Sequence, residues 1–200
     1  MKRNLFLSLL AVSIACIMPC VSASAQVKSS FTSPDLKWQQ LQGHVKQLKI
    51  IGEYGYAVYN FDRQGNFISY HDSFGYPYKI KRNKKGQIVE WHQWMDETDF
   101  YYDAEYVYNN DGYIYRETTA SEADEDVYVY VLNAQGWPVS ASWKCEDGEM
   151  GDEEVYHHKG TVTYSYPNID DHGNWLRCDV KSTSPYFRNY TETRKITYWE

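Results

Sequence analysis

The residues able to do chemistry are scattered along this chain, and their spacing limits what they can do. His157 and His158 are adjacent, so on a strand they point to opposite faces and cannot hold one ion together. His71 and His92 could approach across neighbouring strands, but they bring no third ligand. Two acidic runs, Glu122-Ala123-Asp124-Glu125-Asp126 and Glu146-Asp147-Gly148-Glu149-Met150-Gly151-Asp152-Glu153-Glu154, lack the spaced ligand order of an EF-hand. They read as solvated charge between strands. There is no phosphate-cradling glycine loop, no dinucleotide fingerprint, no Cys-x-x-Cys pair and no Gly-x-Ser-x-Gly elbow. The residues therefore point to no catalytic group, no metal site and no cofactor. The functional lead is aromatic. Trp91, Trp94, Trp137, Trp143 and Trp175 fall on predicted strands, where an exposed flat row of rings could stack on sugars or peptides. The competing reading places the same rings in the core.

The elements that must position these side chains are written as a repeat. Asp or Asn, two residues and then Gly recur at Asp62–Gly65, Asn83–Gly86, Asn109–Gly112, Asn133–Gly136 and Asp170–Gly173, with a further copy at Asp72–Gly75. Asp or Asn suits the first position of a type I turn, and Gly the left-handed position that closes it. Strands are predicted at 44–52, 54–61, 66–71, 76–82, 87–94, 100–108, 113–119, 126–132, 137–145, 155–166, 174–183 and 190–199. Ser33-Pro34-Asp35 predicts a capped short helix over Leu36–Leu41, ended by Gly43. The fold class is thus all-β: an antiparallel meander of hairpins, an open twisted sheet after a short N-terminal helix. Turn geometry also predicts register. Phe61 should lie beside Phe67 and Tyr108 beside Ile114. Val131 should face Val139, Val129 face Ala141 and Val127 face Trp143, leaving Tyr128 and Tyr130 on the other side. The hairpin at Asn83 fits the rule poorly, since it pairs Ile80 with Glu90. The basic run Lys79, Lys81, Arg82, Lys84 and Lys85 reads as protection of a strand edge.

Composition favours rings over aliphatics. From Gln26 onward Tyr, Trp and Phe number 33, against 25 for Leu, Ile and Val. That balance predicts a thin, half-wet sheet rather than a thick aliphatic core. Residues 1–25 read as an export signal: Lys2 and Arg3, the apolar run Leu5–Met18, and the cleavage site Ala23-Ser24-Ala25. Cys16 and Cys20 sit in contexts that fit a lipid anchor poorly. Residues 26–43 form a linker and the short helix, and residues 44–200 the β domain. Loss of Lys2 and Arg3 reduces 20 basic residues to 18 against 27 acidic, a net charge of −9. Nucleic acid is therefore a poor partner, and no later stretch is apolar enough for a transmembrane helix. Cys145 and Cys178 remain, on strands that a meander sets about 9.5 Å apart, too far for a disulfide.

Phe61-Asp62-Arg63-Gln64-Gly65-Asn66 and Tyr108-Asn109-Asn110-Asp111-Gly112-Tyr113 are similar to the aromatic-Asp repeat of YD-repeat (Rhs-like) proteins. With Leu41–Lys46, Asp170–Trp175 and Thr193–Tyr198, the chain resembles small exported YD-repeat-like proteins of Gram-negative bacteria. The resemblance implies hairpin architecture and carries little about activity. Large Rhs proteins wind such hairpins around a toxin; this chain is too short for that, so encapsulation is not carried over. The expectation is an exported, periplasmic, outer-surface or extracellular protein without enzymatic activity. It would bind a protein partner at the envelope through an aromatic β surface or a sheet edge. The alternatives are a carbohydrate-binding module, with a glycan as partner, and a hydrolase using Asp or Glu.

Overall fold

A computed structural model describes residues 31–53, 55–94, 100–121, 124–147 and 155–200. Residues 1–25, read above as an export signal, and Glu122, Ala123 and 148–154 of the acidic runs lie outside the described residues. One short helix, α1 (Pro34–Trp38), precedes β1 (Val45–Gly52), β2 (Gly55–Phe61), β3 (Phe67–Asp72), β4 (Tyr78–Arg82), β5 (Ile88–Trp94) and β6 (Phe100–Tyr108). There follow β7 (Ile114–Ala120), β8 (Asp124–Leu132), β9 (Pro138–Asp147), β10 (Tyr156–Ile169), β11 (Trp175–Ser182) and β12 (Tyr190–Tyr198). These form one 12-stranded antiparallel sheet in the order β3-β2-β1-β12-β11-β10-β9-β8-β7-β6-β5-β4.

The meander is therefore a cut ring. β1 pairs with β12, and the cut falls between the consecutive strands β3 and β4. The sheet is open, since no ladder joins those two edges, yet it curls until their side chains meet. The Tyr70 amide donates to the Tyr78 hydroxyl (3.2 Å) and Gln93 Nε2 to Asp72 Oδ2 (2.5 Å). Tyr78 stacks on Trp91 at 4.9 Å, and Tyr70 meets the same indole edge-on at 4.8 Å. The Asp72–Gly75 copy of the repeat makes its Asx bonds here, to the amides of Phe74 and Gly75, but it joins the two edges rather than a hairpin. Lys79 and Lys81 lie on edge strand β4, where a charged row discourages pairing with another chain.

The other five copies close hairpins in one way. In each, the Asx amide donates to the carbonyl four residues on and the Gly amide donates back to the Asx carbonyl, as in Asn133 N–Trp137 O (2.9 Å) and Gly136 N–Asn133 O (3.0 Å). The Asx side chain accepts from amides within the turn, for example Asp62 Oδ1 from Gln64 and Asn66. The glycine adopts positive φ, 80° at Gly136, where the Tyr113 ring would lie 2.2 Å from an added Cβ. This is a type I turn followed by a left-handed residue.

A second device follows every one of these turns. The third residue after the glycine (Ile68, Val89, Tyr115, Val139 and Leu176) is skipped in the pairing, because Phe61↔Phe67 is followed by Asn60↔Ser69, and Leu132↔Pro138 by Val131↔Ser140. The same step occurs in the other three hairpins. Phe61–Phe67 and Tyr108–Ile114 pair as the turn rule requires, but beyond the bulge the faces exchange. Val131, Val129 and Val127 oppose Ser140, Ser142 and Lys144, whereas Tyr130 opposes Ala141 and Tyr128 opposes Trp143. The expected Val face of β8 is thus corrected: Val131 is 58% exposed, and the tyrosines point inward. At β4–β5 the bulge pairs Ile80 with Trp91 and releases Lys81 to bond Glu90 (2.5 Å).

Alternate hairpin connections of a meander fall at one end of the sheet, and the N-terminal segment closes that end. Ser33 caps α1 by accepting from the Leu36 amide (3.0 Å) and donates to the Gly65 carbonyl (2.6 Å). Buried Asp35 holds Arg82 through two bonds (2.5 and 2.9 Å) and accepts from the Phe67 amide (2.7 Å). Lys37 reaches the Asp111 carbonyl (2.6 Å), and Gln42 the Gly173 carbonyl (2.6 Å). Three of the five turns, and Arg82 beside a fourth, are tied to this one segment. The helix ends at Trp38, earlier than expected, because Gln40 takes positive φ (56°). Trp38 enters the lumen and stacks on Trp91 at 5.6 Å.

Candidate functional site

Register decides which side chains see the interior. From β6 to β12 the inward positions carry Tyr102, Glu117, Thr119, Tyr128, Tyr130, Tyr164, Tyr166, Cys178, Tyr190, Glu192 and Arg194, and these line a cavity of about 380 Å³ floored by Gln40. That is room for roughly a dozen waters at liquid density. The rings form its walls, with Tyr128 and Tyr130 stacked at 6.0 Å and Tyr130 meeting Tyr164 edge-on at 6.1 Å.

Three charged groups sit among these phenols. Glu117, on β7, accepts from the Tyr130 hydroxyl (2.6 Å). Burial pushes its carboxyl above the usual range, and the Glu192 carboxylate adds to the effect, while the Tyr130 bond opposes it. Arg194, on β12, is otherwise engaged. It donates to Glu192 (3.3 Å) and to the Gln39 carbonyl (2.8 Å), and its guanidinium lies 3.3 Å from the Trp175 ring centroid. Burial lowers its proton affinity, which Glu192 partly restores. The phenols of Tyr102, Tyr128, Tyr130 and Tyr164 are held protonated chiefly by burial and further by the Glu117 charge.

The thiols are quiet. Cys145 and Cys178 are both buried and unpaired, as the spacing of the meander requires. Each is pushed up to about 12 by burial, with Asp126 adding at Cys145 and Glu192 at Cys178. Neither is a thiolate nucleophile at neutral pH.

The tryptophans do not make an outer row. Trp91, Trp137, Trp143 and Trp175 are buried, in core clusters that also hold Ile88 and Ala104 or Ala141, Val162 and Val180. Trp94 is half-buried. Of the five, Trp175 borders the cavity, and its indole donates to Gln40 (3.1 Å). An inward-curled sheet gives its broad rings to the concave face, which corrects the expected aromatic surface. Nor do His71 and His92 converge: His92 bonds Asp103 (2.7 Å), and the His71 ring lies 6.4 Å from that of Tyr56. Asp126, described from the first acidic run, accepts from the Trp143 indole (2.7 Å). Among the described residues no group of three His, Cys, Asp or Glu is placed to hold a metal ion.

Glu117, Glu192 and Arg194 escape a reading of sequence. A signal was present in β12, where Tyr190, Glu192, Arg194, Ile196 and Tyr198 alternate on one face with two opposite charges among apolar neighbours. At the end of the sheet away from α1, a second hollow of about 490 Å³ lies between Ile50, Tyr56, Asp72 and Phe74, and it shares Tyr190 and Glu192 with the cavity.

No protein-family model and no curated protein matches the chain. Among solved structures it is similar to a porin-like protein from Bacteroides uniformis ATCC 8492, with a TM-score of 0.32, 8% identity, 76% of this chain and 96% of that chain covered.

Proposed function

We propose that this is an exported, non-enzymatic binding protein of the cell envelope, related to YD-repeat proteins, and that its ligand is a small polar molecule held in the tyrosine-lined cavity. The observation that carries the reading is the cavity: about 380 Å³ of space walled by phenols, with two carboxyls and a guanidinium in its lining. Ligand sites combine apolar walls with a few convergent polar groups at this size. The chemistry favours binding over turnover, since the lining has no histidine and its one thiol is held protonated. The shared Tyr190 and Glu192 make the second hollow the entrance. Export rests on the leader at residues 1–25.

The test is a thermal-shift panel of sugars, amines and carboxylates against residues 26–200. A true ligand at a hundred times its Kd adds about 2.7 kcal/mol, which raises Tm by about 5 °C or more. Thr119→Phe, which fills the cavity from β7, should fold and abolish that shift. A ligand whose shift survives Thr119→Phe binds elsewhere and defeats the reading.

A further inference from the structure

The cavity has an electrostatic account that does not balance. Its three charged groups are Glu117, Glu192 and Arg194. Arg194 pairs with Glu192, bonds the Gln39 carbonyl and covers the Trp175 face. Glu117 keeps one bond, from the neutral Tyr130 hydroxyl, and no ion pair among the described residues. Glu117 is half-buried among the rings, and a carboxylate largely withdrawn from water without a counter-charge is costly to hold.

The surroundings would suit one kind of counter-charge. Rings of Tyr102, Tyr128, Tyr130, Tyr164 and Tyr190 come from four strands around Glu117, and the negative face of a phenol attracts a cation. A compact metal ion would need several hard oxygen ligands, whereas this lining offers one carboxylate outside an ion pair and many π faces. An anion would meet Glu117 and Glu192 together. A neutral sugar could bond the hydroxyls, but it would leave the carboxylate unmatched.

We propose that the cavity takes a small organic cation, an alkylammonium or quaternary ammonium compound, held by the Glu117 carboxylate against the rings of Tyr128, Tyr130 and Tyr164. This rests on the cavity being the binding site. The volume accommodates a head group of this class with a short polar tail.

Calorimetric titration of residues 26–200 tests it with choline, with tetramethylammonium and with 3,3-dimethylbutan-1-ol, the uncharged isostere of choline. Both cations should bind and the isostere should not. Glu117→Gln keeps the shape and a partner for Tyr130, and it should weaken choline tenfold or more. Val131→Thr, on the outer face of β8, should leave choline within a few-fold of the parent. Equal binding of choline and its isostere, or choline binding unchanged by Glu117→Gln, overturns the cation assignment alone. A sugar whose binding is lost in Thr119→Phe, with no cation bound, also overturns the assignment while keeping the site. Cation binding that persists in Thr119→Phe overturns the site and the assignment together.

Discussion

Glu117 occupies a position where the fold works against its charge. Its carboxyl is raised above the ordinary value mainly by burial, so the folded chain holds that proton more tightly than the unfolded chain does. Such a group costs nothing below the ordinary glutamate value, near pH 4. It costs progressively more as pH rises from there through the raised value, and its full penalty stands above it. Glu117→Gln removes the titration. Without ligand the variant should match the parent in urea midpoint at pH 4 and exceed it at pH 7 by on the order of 1 kcal/mol. Parallel stability curves from pH 4 to 7 would show that folding does not raise the Glu117 carboxyl. Asp35 is a buried carboxylate of the other kind, answered by both Arg82 donors and by the Phe67 amide. Removing one partner of such a pair is strongly destabilising, so Asp35→Ala should cost about 3 kcal/mol, read as a loss in urea midpoint.

The repeated hairpin, not the single strand, is the element this chain is built from. Its turn was legible because two side-chain demands coincide: an Asx oxygen to receive the turn amides and a residue without Cβ where φ is positive. Gly136→Ala should cost about 2 kcal/mol or more, because it adds a left-handed penalty to a collision with the Tyr113 ring. Gly75→Ala, at φ 77° with nothing within 4 Å, should cost only about 1 kcal/mol. Thermal denaturation of both variants compares the two terms. The bulge was not legible. Ile68, Val89, Tyr115, Val139 and Leu176 are ordinary strand formers, and no side chain announces that the ladder skips it. In β8 both faces are made of good strand residues, Val on one and Tyr on the other, so hydrophobic alternation could not choose between them. Strand positions could therefore be read from the turns, whereas Glu117, Glu192 and Arg194 could not be assigned to an interior without the register.

At the scale of the whole molecule, strand number explains composition. About eight strands curl around an interior that side chains alone can fill, and a larger count leaves space. Twelve strands here are filled by α1, which inserts Trp38, and by phenols and indoles in place of Leu and Ile. The outer face carries exposed Lys144, Lys159, Lys181 and Lys195 on four neighbouring strands, so lipid contact there would bury charge. An interior made of phenols has a consequence in alkali. Tyr59, Tyr102, Tyr106 and Tyr130 are raised well above their ordinary value, chiefly by burial, and stay protonated in the folded state where an unfolded chain would release the proton. Their stabilising effect is intact below about pH 10 and is lost as pH rises above it. Each contributes about 1.4 kcal/mol per pH unit in that window, so these four together reach the scale of a domain's whole stability within about two units. Tyrosinate absorbance at 295 nm should therefore rise in two stages: exposed phenols such as Tyr186 first, then the buried set in one cooperative step coincident with loss of far-ultraviolet circular dichroism. A single smooth titration near pH 10, with the sheet signal intact, would mean that these phenols are wetted rather than shielded by the rings around them.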